Sequence, residues 1–544
     1  MPLSLLGQSV ANSAHNLSAN SSGKYKAQTE SEICIFCHTP HSAKAIAPLW
    51  NRANSGTVYQ LYNSSTFDAV PGQPDGSSIL CLSCHDGTIA LGNISSRPYI
   101  EFNNGVTMLP SGRSNLSTDL SDDHPISFVY DNALSVKDKE IKNPSDLIYP
   151  VRLEKLKLQC VSCHDPHKNM YNNFLLVTNQ SSDLCLVCHE KSQWIASSHQ
   201  TSNKTWNGNG QNPWFHTDFK TVSTNGCESC HNPHNAGGKE RLLKYNAEED
   251  NCLDCHNGNV AAANIQQQFV KTYRHNVSGY TGIHDPTEIG IPSQKHVECV
   301  DCHNSHAINS NEAIAPNVKG FNIGVQGISQ NGTVVKSASF EYEICYRCHS
   351  QNAVTPSSVT RLVAQNNVML EFDPSNYSYH PIAAPGKNNN VPSLISPYTV
   401  SSMIYCSDCH GSDGTNAPGG PHGSIYPQIL KANYNRASNS PESITSYALC
   451  YNCHDRNSIL SNQSFPYHNK HIREENTSCI ACHDSHGISS SQTSASSGTH
   501  LINFNTGPGF VTPANGIIRF TDNGVNHGSC QLTCHGETHN PESY

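Results

Sequence analysis

The sequence is short of the residues that build ordinary protein interiors and surfaces. Of its 544 residues, 36% are hydrophobic and 14% are charged, with only 4 Trp and 5 Met. Soluble domains usually contain about 45–50% and about 25% of these two classes. So few apolar residues cannot build several independent aliphatic cores of the usual size. We therefore expect something other than aliphatic side chains to fill the interior.

Other absences exclude whole classes of function. No run approaches the ~18 apolar residues of a membrane-spanning helix. The formal net charge is -10 and there is no basic run, which argues against nucleic acid as a partner. Phosphate-binding loops, dinucleotide-binding glycine patterns and serine-nucleophile elbows are also missing from the sequence. We expect no membrane span, no nucleic-acid partner and no nucleotide chemistry.

Every cysteine belongs to one recurring motif. The 24 Cys form twelve pairs, and a His directly follows the second Cys of each pair. Eleven pairs have the spacing C-x-x-C-H, whereas the twelfth contains one extra residue between its cysteines. In chain order the pairs are Cys34 and Cys37, Cys81 and Cys84, Cys160 and Cys163, Cys185 and Cys188, Cys227 and Cys230, Cys252 and Cys255, Cys299 and Cys302, Cys345 and Cys348, Cys406 and Cys409, Cys450 and Cys453, Cys479 and Cys482, and Cys530 and Cys534. The histidines that follow them are His38, His85, His164, His189, His231, His256, His303, His349, His410, His454, His483 and His535.

The C-x-x-C-H spacing predicts covalent attachment of a c-type haem. Two thiols one turn apart can add to the two vinyl groups on one porphyrin edge, and the adjacent His then ligates the iron. A zinc site would not require a His after every pair, and disulfides between residues three apart would close loops too short to stabilise the chain. The sequence thus predicts twelve haem c groups, including one at the stretched motif with its extra residue looped outward.

One haem for about 45 residues leaves little room for long helices or sheets. We expect a multihaem cytochrome c fold with little regular secondary structure, short α-helical turns at the haem sites and long irregular loops. The motifs alternate, since five odd-numbered motifs carry a second His three residues after the motif His and the even-numbered motifs do not. The repeating unit is therefore a haem pair, and an elongated array of pairs is expected. We assign residues 1–14 to an N-terminal arm or signal-peptide remnant, and the haem pairs to 15–150, 151–205, 206–290, 291–385, 386–467 and 468–544.

Histidine numbers favour two imidazole ligands for every iron. Of the 31 His, twelve lie in the motifs and nineteen remain. No Met recurs at an equivalent position, and His/His ligation gives lower potentials than Met/His ligation. A six-coordinate iron has no open position for substrate, so we expect electron transfer rather than catalysis. The candidate distal ligands are His15, His41, His124, His167, His199, His234, His275, His296, His306, His380, His422, His468, His471 and His486; we favour His216, His284, His500, His527 and His539 less.

Five odd-numbered motifs carry a second His three residues after the motif His. A side chain so close in the chain reaches at most ~10–11 Å, which is too short to pass around a porphyrin edge to the far face. These near histidines should therefore ligate a different haem, and we expect the other haem of the same module. They are His41, His167, His234, His306 and His486, and the ninth motif offers His422 instead.

Several stretches resemble the paired-CxxCH multihaem c-type cytochromes of metal-respiring bacteria. The similar segments are residues 15–18 (HNLS), 34–41 (CIFCHTPH), 48–52 (PLWNR), 80–88 (LCLSCHDGT) and 124–128 (HPISF). The resemblance implies an exported carrier in the periplasm or at the outer cell surface, with redox proteins or an extracellular acceptor as partners. Some members of this family polymerise into haem-lined filaments in which a His near the N-terminus ligates a haem of the next subunit, and the resemblance suggests this role for His15.

The start of the chain is unusual for an exported protein. Residues 2–11 (PLSLLGQSVA) look like the tail of a signal peptide with a small-residue cleavage site. We expect a truncated start and a mature chain that begins near Asn12.

These observations leave three functional hypotheses. The first is a dodecahaem electron-transfer conduit without enzymatic activity of its own. The second is a multihaem reductase in which one iron lacks a distal His and binds a small oxyanion. The third is a structural cytochrome polymer, which shares every sequence feature with the first.

Overall fold

The computed structural model describes four parts of the chain, which are residues 10–41, 49–280, 296–350 and 359–544. His284 and residues 1–9 of the predicted N-terminal arm lie outside these parts. The chain divides into two compact units, residues 1–255 and 256–544. The finer division into six two-haem modules stays a prediction.

Helices in the described residues are short, and α1 is the longest with ten residues. None of them has the length and apolarity that a membrane span requires. Irregular chain connects them almost everywhere, which confirms the predicted fold class. The α-helices are α1 (Gly76–His85), α2 (Asn132–Asp138), α3 (Asp183–Cys188), α4 (Ser198–Thr201), α5 (Val222–Asn225), α6 (Glu248–Leu253), α7 (Glu341–His349), α8 (Val368–Glu371), α9 (Cys406–Cys409), α10 (Ala448–Tyr451), α11 (Arg456–Leu460) and α12 (Cys479–Cys482).

Three small antiparallel sheets lie in the second unit. Two of them are pairs of two-residue strands, and the third is a three-stranded sheet at the C-terminus with the order β5-β6-β7. The strands are β1 (Tyr273–Arg274), paired with β4 (Gly423–Ser424); β2 (Gly327–Ile328), paired with β3 (Val334–Val335); and β5 (Arg519–Asp522), β6 (Gly528–Cys534) and β7 (Glu537–Ser543).

The even-numbered and odd-numbered motifs have different local structures. The even-numbered motifs from the second to the tenth lie on or at the ends of α1, α3, α6, α7 and α10. The odd-numbered motifs occupy single turns, either the short helices α9 and α12 or the 3₁₀ turns Cys34–Phe36, Cys160–Ser162, Gly226–Ser229 and Cys299–Asp301. In every odd motif the N–H of the motif His donates to the carbonyl of the first Cys over 2.8–3.0 Å. This single turn brings both cysteines and the His to one side of the backbone.

Helix α1 shows how the second motif is bounded. Ile79 and Leu82 are buried on one side, and they lie one turn apart along the helix. The helix ends before Gly87, which has φ +69°, a conformation that favours glycine. A Cβ at this position would lie 2.5 Å from the Asn115 amide nitrogen. The chain therefore turns sharply directly after the motif His.

The stretched twelfth motif does not form such a turn. Both Cys530 and Cys534 lie in β6, and the next residue, His535, has φ +39° in the connection to β7. The extra residue therefore lies within a strand, and the prediction that it loops outward is wrong.

Apolar clusters are small, as the composition predicts. In the first unit a cluster of seven buried residues includes Phe36, Leu91 and Phe102. In the second unit a cluster of the same size includes Tyr346 and Phe372. Clusters of this size cannot form a conventional core, so polar groups carry part of the interior.

The buried guanidinium of Arg52 is one such polar group. Its side chain is fully buried and donates to three backbone carbonyls of the segment that contains and follows the second motif. The distances are 2.8 Å to Leu91, 2.9 Å to Ala90 and 3.2 Å to Ser83. Arg52 thus ties the chain after the first motif to the second motif.

Replacing Arg52 by Leu should destabilise the first unit. The change leaves three buried carbonyls without their donor, which costs about 3 kcal/mol in the free energy of unfolding. Urea unfolding of the holoprotein, followed by circular dichroism, measures the loss. Arg97→Leu is the control, because the Arg97 side chain is 40% exposed and pairs with Glu30 and Glu32 at the surface. Equal losses in the two variants would contradict the role of Arg52.

Candidate haem sites

Eight motif histidines each face one further imidazole ring. In all eight pairs the ring centroids lie 6.1–6.5 Å apart. A metal–imidazole bond is about 2.0–2.1 Å, so rings on opposite sides of one metal have centroids about 6 Å apart. The pairs are His38 with His167, His85 with His15, His164 with His234, His189 with His124, His303 with His422, His349 with His275, His410 with His486, and His483 with His468. The spacing fits one iron between the rings of each pair.

Burial keeps most of these imidazoles neutral. It lowers the pKa of His189 to about 3, and those of His164 and His483 to about 4. A distal partner such as His468 is affected in the same way, since burial lowers its pKa to about 3. Only the neutral ring has a lone pair to offer a metal. The sites therefore hold their ligands in the binding form at neutral pH.

Backbone carbonyls orient many of the motif histidines. Each of these rings approaches a carbonyl with Nδ1, which leaves Nε2 for the metal. The acceptor carbonyl comes from a loop that returns to the motif, so the loop fixes the ring direction. The acceptors are Ser114 for His85, Asn173 for His164, Arg241 for His231, Phe321 for His303, Gln428 for His410 and His500 for His483, over 2.6–3.1 Å.

Two distal candidates donate to buried carboxylates instead. Nδ1 of His234 lies 3.1 Å from Asp123 Oδ1, and Nδ1 of His486 lies 2.7 Å from Glu371 Oε2. Asp123 is 3% exposed and Glu371 is 8% exposed. Burial acts to lower the pKa of His486, but the bond to Glu371 and its charge raise the pKa overall. A carboxylate on Nδ1 makes the imidazole a stronger ligand for ferric iron.

The near histidines follow a different rule from the one expected. Three of them face a motif outside their own predicted module. His167, after the third motif, faces the first motif, and His234, after the fifth, faces the third. His486, after the eleventh motif, likewise faces the ninth. In all three cases the motif faced lies two positions earlier in the chain, an offset of two motifs.

His15 has a partner within its own chain. Its ring lies 6.1 Å from that of His85, and its Nδ1 lies 3.3 Å from the carbonyl of Pro166. The ring also stacks on Phe174 at 4.2 Å. The suggested role of His15 in the next subunit of a filament stays a prediction.

Other candidates have different surroundings. Burial, and after it the charge of His380, lowers the pKa of His454 to about 4, and His454 Nδ1 lies 2.9 Å from Ser393 Oγ. His296 stacks on Tyr280 with centroids 4.0 Å apart. His41 is exposed at the edge of the described chain. Ligand roles for His199, His231, His256, His296 and His306 stay predictions.

The twelfth motif brings together three imidazoles. The metal-binding nitrogens of His471, His535 and His539 all lie within 4.8 Å of one another. Sequence reasoning favoured His471 and His535 but gave His539 little weight, because nothing in the local sequence marks it. The pairing of β6 with β7 brings His539 back beside the motif.

Comparison with known families agrees with this geometry. A family model described as "Doubled CXXCH motif" matches residues 154–193 and 220–261. Each matched segment contains one odd and one even motif. No curated protein matches the chain. The doubled motif in these two segments supports a multihaem c-type cytochrome.

Replacing Asp123 by Asn should raise the midpoint potential of the haem between His164 and His234. The amide holds Nδ1 more weakly, so ferric iron loses some of its preferential stabilisation. A tenfold loss in the preference of the site for ferric over ferrous iron corresponds to a rise of about 59 mV for a one-electron couple. Spectroelectrochemical titration of the holoprotein measures the shift. Asp122→Asn is the matched control, since it removes the same charge beside the same site, and an equal shift in that variant would contradict the hydrogen-bond explanation.

Proposed function

We propose that this cytochrome is an electron conduit in which haems at successive motifs pass electrons in sequence order within each unit. A c-type haem alternates between ferric and ferrous iron and so carries one electron at a time. The supporting observation is the spacing of the attachment cysteines, which places successive motifs side by side.

The first cysteine of an even motif lies against the first cysteine of the following odd motif. A hydrogen bond between Cys81 and Cys160 raises the pKa of Cys81 and lowers that of Cys160 to about 7. The same contact joins Cys185 to Cys227, Cys345 to Cys406, and Cys450 to Cys479. Haems tethered to these thiols would meet at their attached edges.

Within an odd–even pair, the second cysteines are neighbours. The pKa of Cys163 is raised to about 12 by burial and then by the charge of Cys188. The same relation joins Cys37 to Cys84, Cys230 to Cys255, and Cys409 to Cys453. For Cys302 the charge of Cys345 has the larger effect after burial, and that of Cys348 follows. The alternating contacts make the cysteines of motifs 1–6 one continuous series and those of motifs 7–11 another, which supports transfer from neighbour to neighbour.

The facing imidazoles support electron transfer over catalysis. At the eight paired sites both axial positions have a His, so a substrate would have to displace a ligand. Two His ligands also favour low potentials. The reductase alternative needs a haem with one vacant axial position, and none of the eight pairs provides it.

The setting that we propose is the periplasm or the outer cell surface, with a redox protein or an extracellular acceptor as partner. The chain carries a net charge of -10, and haem propionates would add to it. Opposite charges on two proteins speed their encounter and fix their relative orientation. A partner with a positively charged docking face therefore suits this acidic protein.

Removal of one distal His should create the open position that the native sites lack. His234→Ala leaves the haem at His164 with one axial ligand, so the reduced variant should bind about one CO per chain. CO titration followed in the Soret band measures this, with the wild-type protein binding little. His527→Ala is the control, because His527 is exposed and belongs to none of the eight pairs. Stoichiometric CO binding by the wild type would favour the reductase instead.

We also propose that His41 serves a second copy of the chain. Its ring is exposed and faces no motif His in the described residues. A neighbouring copy that binds head to tail could use this imidazole, so the chain would assemble into filaments.

His41→Ala should then reduce filament formation at least tenfold, because a ligand bond between copies is lost. Negative-stain electron microscopy and sedimentation of the secreted protein measure assembly. His15→Ala is the comparison, since His15 faces its own chain and its loss should alter one haem spectrum while filaments remain. A wild-type protein that is monomeric at all concentrations would refute the proposal.

A further inference from the structure

The twelfth motif is not built for the haem attachment seen at the other motifs. A helical turn separates cysteines three residues apart by a rise of about 4.5–6 Å. A strand separates residues four apart by roughly 10–13 Å, even with the register shift between Cys530 and Leu532. Two thiols so far apart do not meet the two vinyl groups on one porphyrin edge.

The three imidazoles at this motif also leave no room for a macrocycle. Their ring centroids lie 5.6 Å, 5.9 Å and 6.4 Å apart, for the pairs His471 with His535, His535 with His539, and His471 with His539. A porphyrin fills the plane around its iron. With their nitrogens within 4.8 Å of one another, two rings on the axial positions would place the third inside that plane. The arrangement suits a single ion rather than a haem.

A polar cavity next to the motif gives the same indication. It has a volume of about 440 Å³, and Cys534 and His535 form part of its wall. Glu474, Glu475 and Asn439 also line it. Porphyrin faces need mainly apolar surroundings, whereas this wall carries two carboxyl groups.

Hydrogen bonds aim the three rings. His471 Nδ1 lies 2.8 Å from the Tyr467 carbonyl, and His539 Nδ1 lies 2.6 Å from Glu542 Oε2. Both rings therefore have Nε2 available for a metal. His535 Nδ1 lies 3.5 Å from Glu475 Oε2, whereas its buried Nε2 has no hydrogen-bond partner among the described residues. A buried polar group without a hydrogen-bond partner calls for a ligand.

A fourth donor lies close to the three rings. The Cys534 Sγ is 3.8 Å from His539 Nε2. Three imidazoles and one thiolate are a donor set that zinc takes in tetrahedral sites. Binding of the thiol would release its proton to solvent.

We propose that His471, His535, His539 and Cys534 form a non-haem site for one Zn²⁺ ion. The protein then carries eleven haems and one zinc ion. The ion would fasten the C-terminal sheet to the segment that contains His471. This inference does not depend on the conduit role, because it concerns which cofactor the last motif holds.

Cofactor counting tests the proposal on the full-length holoprotein. Denaturing mass spectrometry should give eleven covalent haems, and elemental analysis should give one zinc for eleven iron atoms. His539→Ala should reduce zinc content at least tenfold and leave the haem count unchanged. His527→Ala, just before β6 in the same C-terminal sheet, should retain the zinc.

Zinc-edge X-ray absorption of the wild-type protein gives a reading that needs no folded variant. It should show three nitrogen neighbours and one sulfur neighbour. Twelve covalent haems would overturn the proposal, as would eleven haems without bound zinc after incubation with Zn²⁺. Retention of zinc by His539→Ala would also overturn it. None of these results bears on electron transfer along the other motifs.

Discussion

The separation between facing imidazoles is the constraint on which the described structure depends. Eight pairs of rings keep their centroids 6.1–6.5 Å apart, although their residues are often far apart in the chain. His189 meets His124, and His410 meets His486. Each pair joins two distant segments, so bonds to a metal would replace the long-range packing that a conventional core supplies.

The offset of two motifs means that histidines after one odd motif link it to another odd motif of the same unit. His167, His234, His422 and His486 each follow one odd motif and face the motif two positions earlier. Every such link spans the even motif between them. These facing rings tie each of these odd motifs to the odd motif before it.

The same scaffold provides different electrostatic surroundings for its ligands. Six motif histidines approach a backbone carbonyl with Nδ1, whereas His234 and His486 donate to Asp123 and Glu371. Backbone carbonyls are dipoles and carboxylates are full charges, so the two kinds of acceptor set the ligand strength differently. Potentials along a conduit could thus vary without any change in the axial ligands.

The sequence alone determined the chemistry of this protein. Cysteine spacing and the His after each pair predict haem attachment because that reaction is local, needing thiols one turn apart and an adjacent imidazole. The irregular fold follows from the scarcity of apolar residues.

The tertiary structure decided which histidines meet. Counting could show that enough imidazoles exist, but facing pairs such as His85 with His15 depend on long-range chain paths that no local pattern encodes. The sequence therefore did not indicate which motif His167, His234 and His486 face. It also gave little weight to His539, whose place beside His535 comes from the pairing of β6 with β7. Chemistry that depends on neighbouring residues can be predicted from the sequence, whereas the pairing of imidazole rings depends on how the whole unit packs.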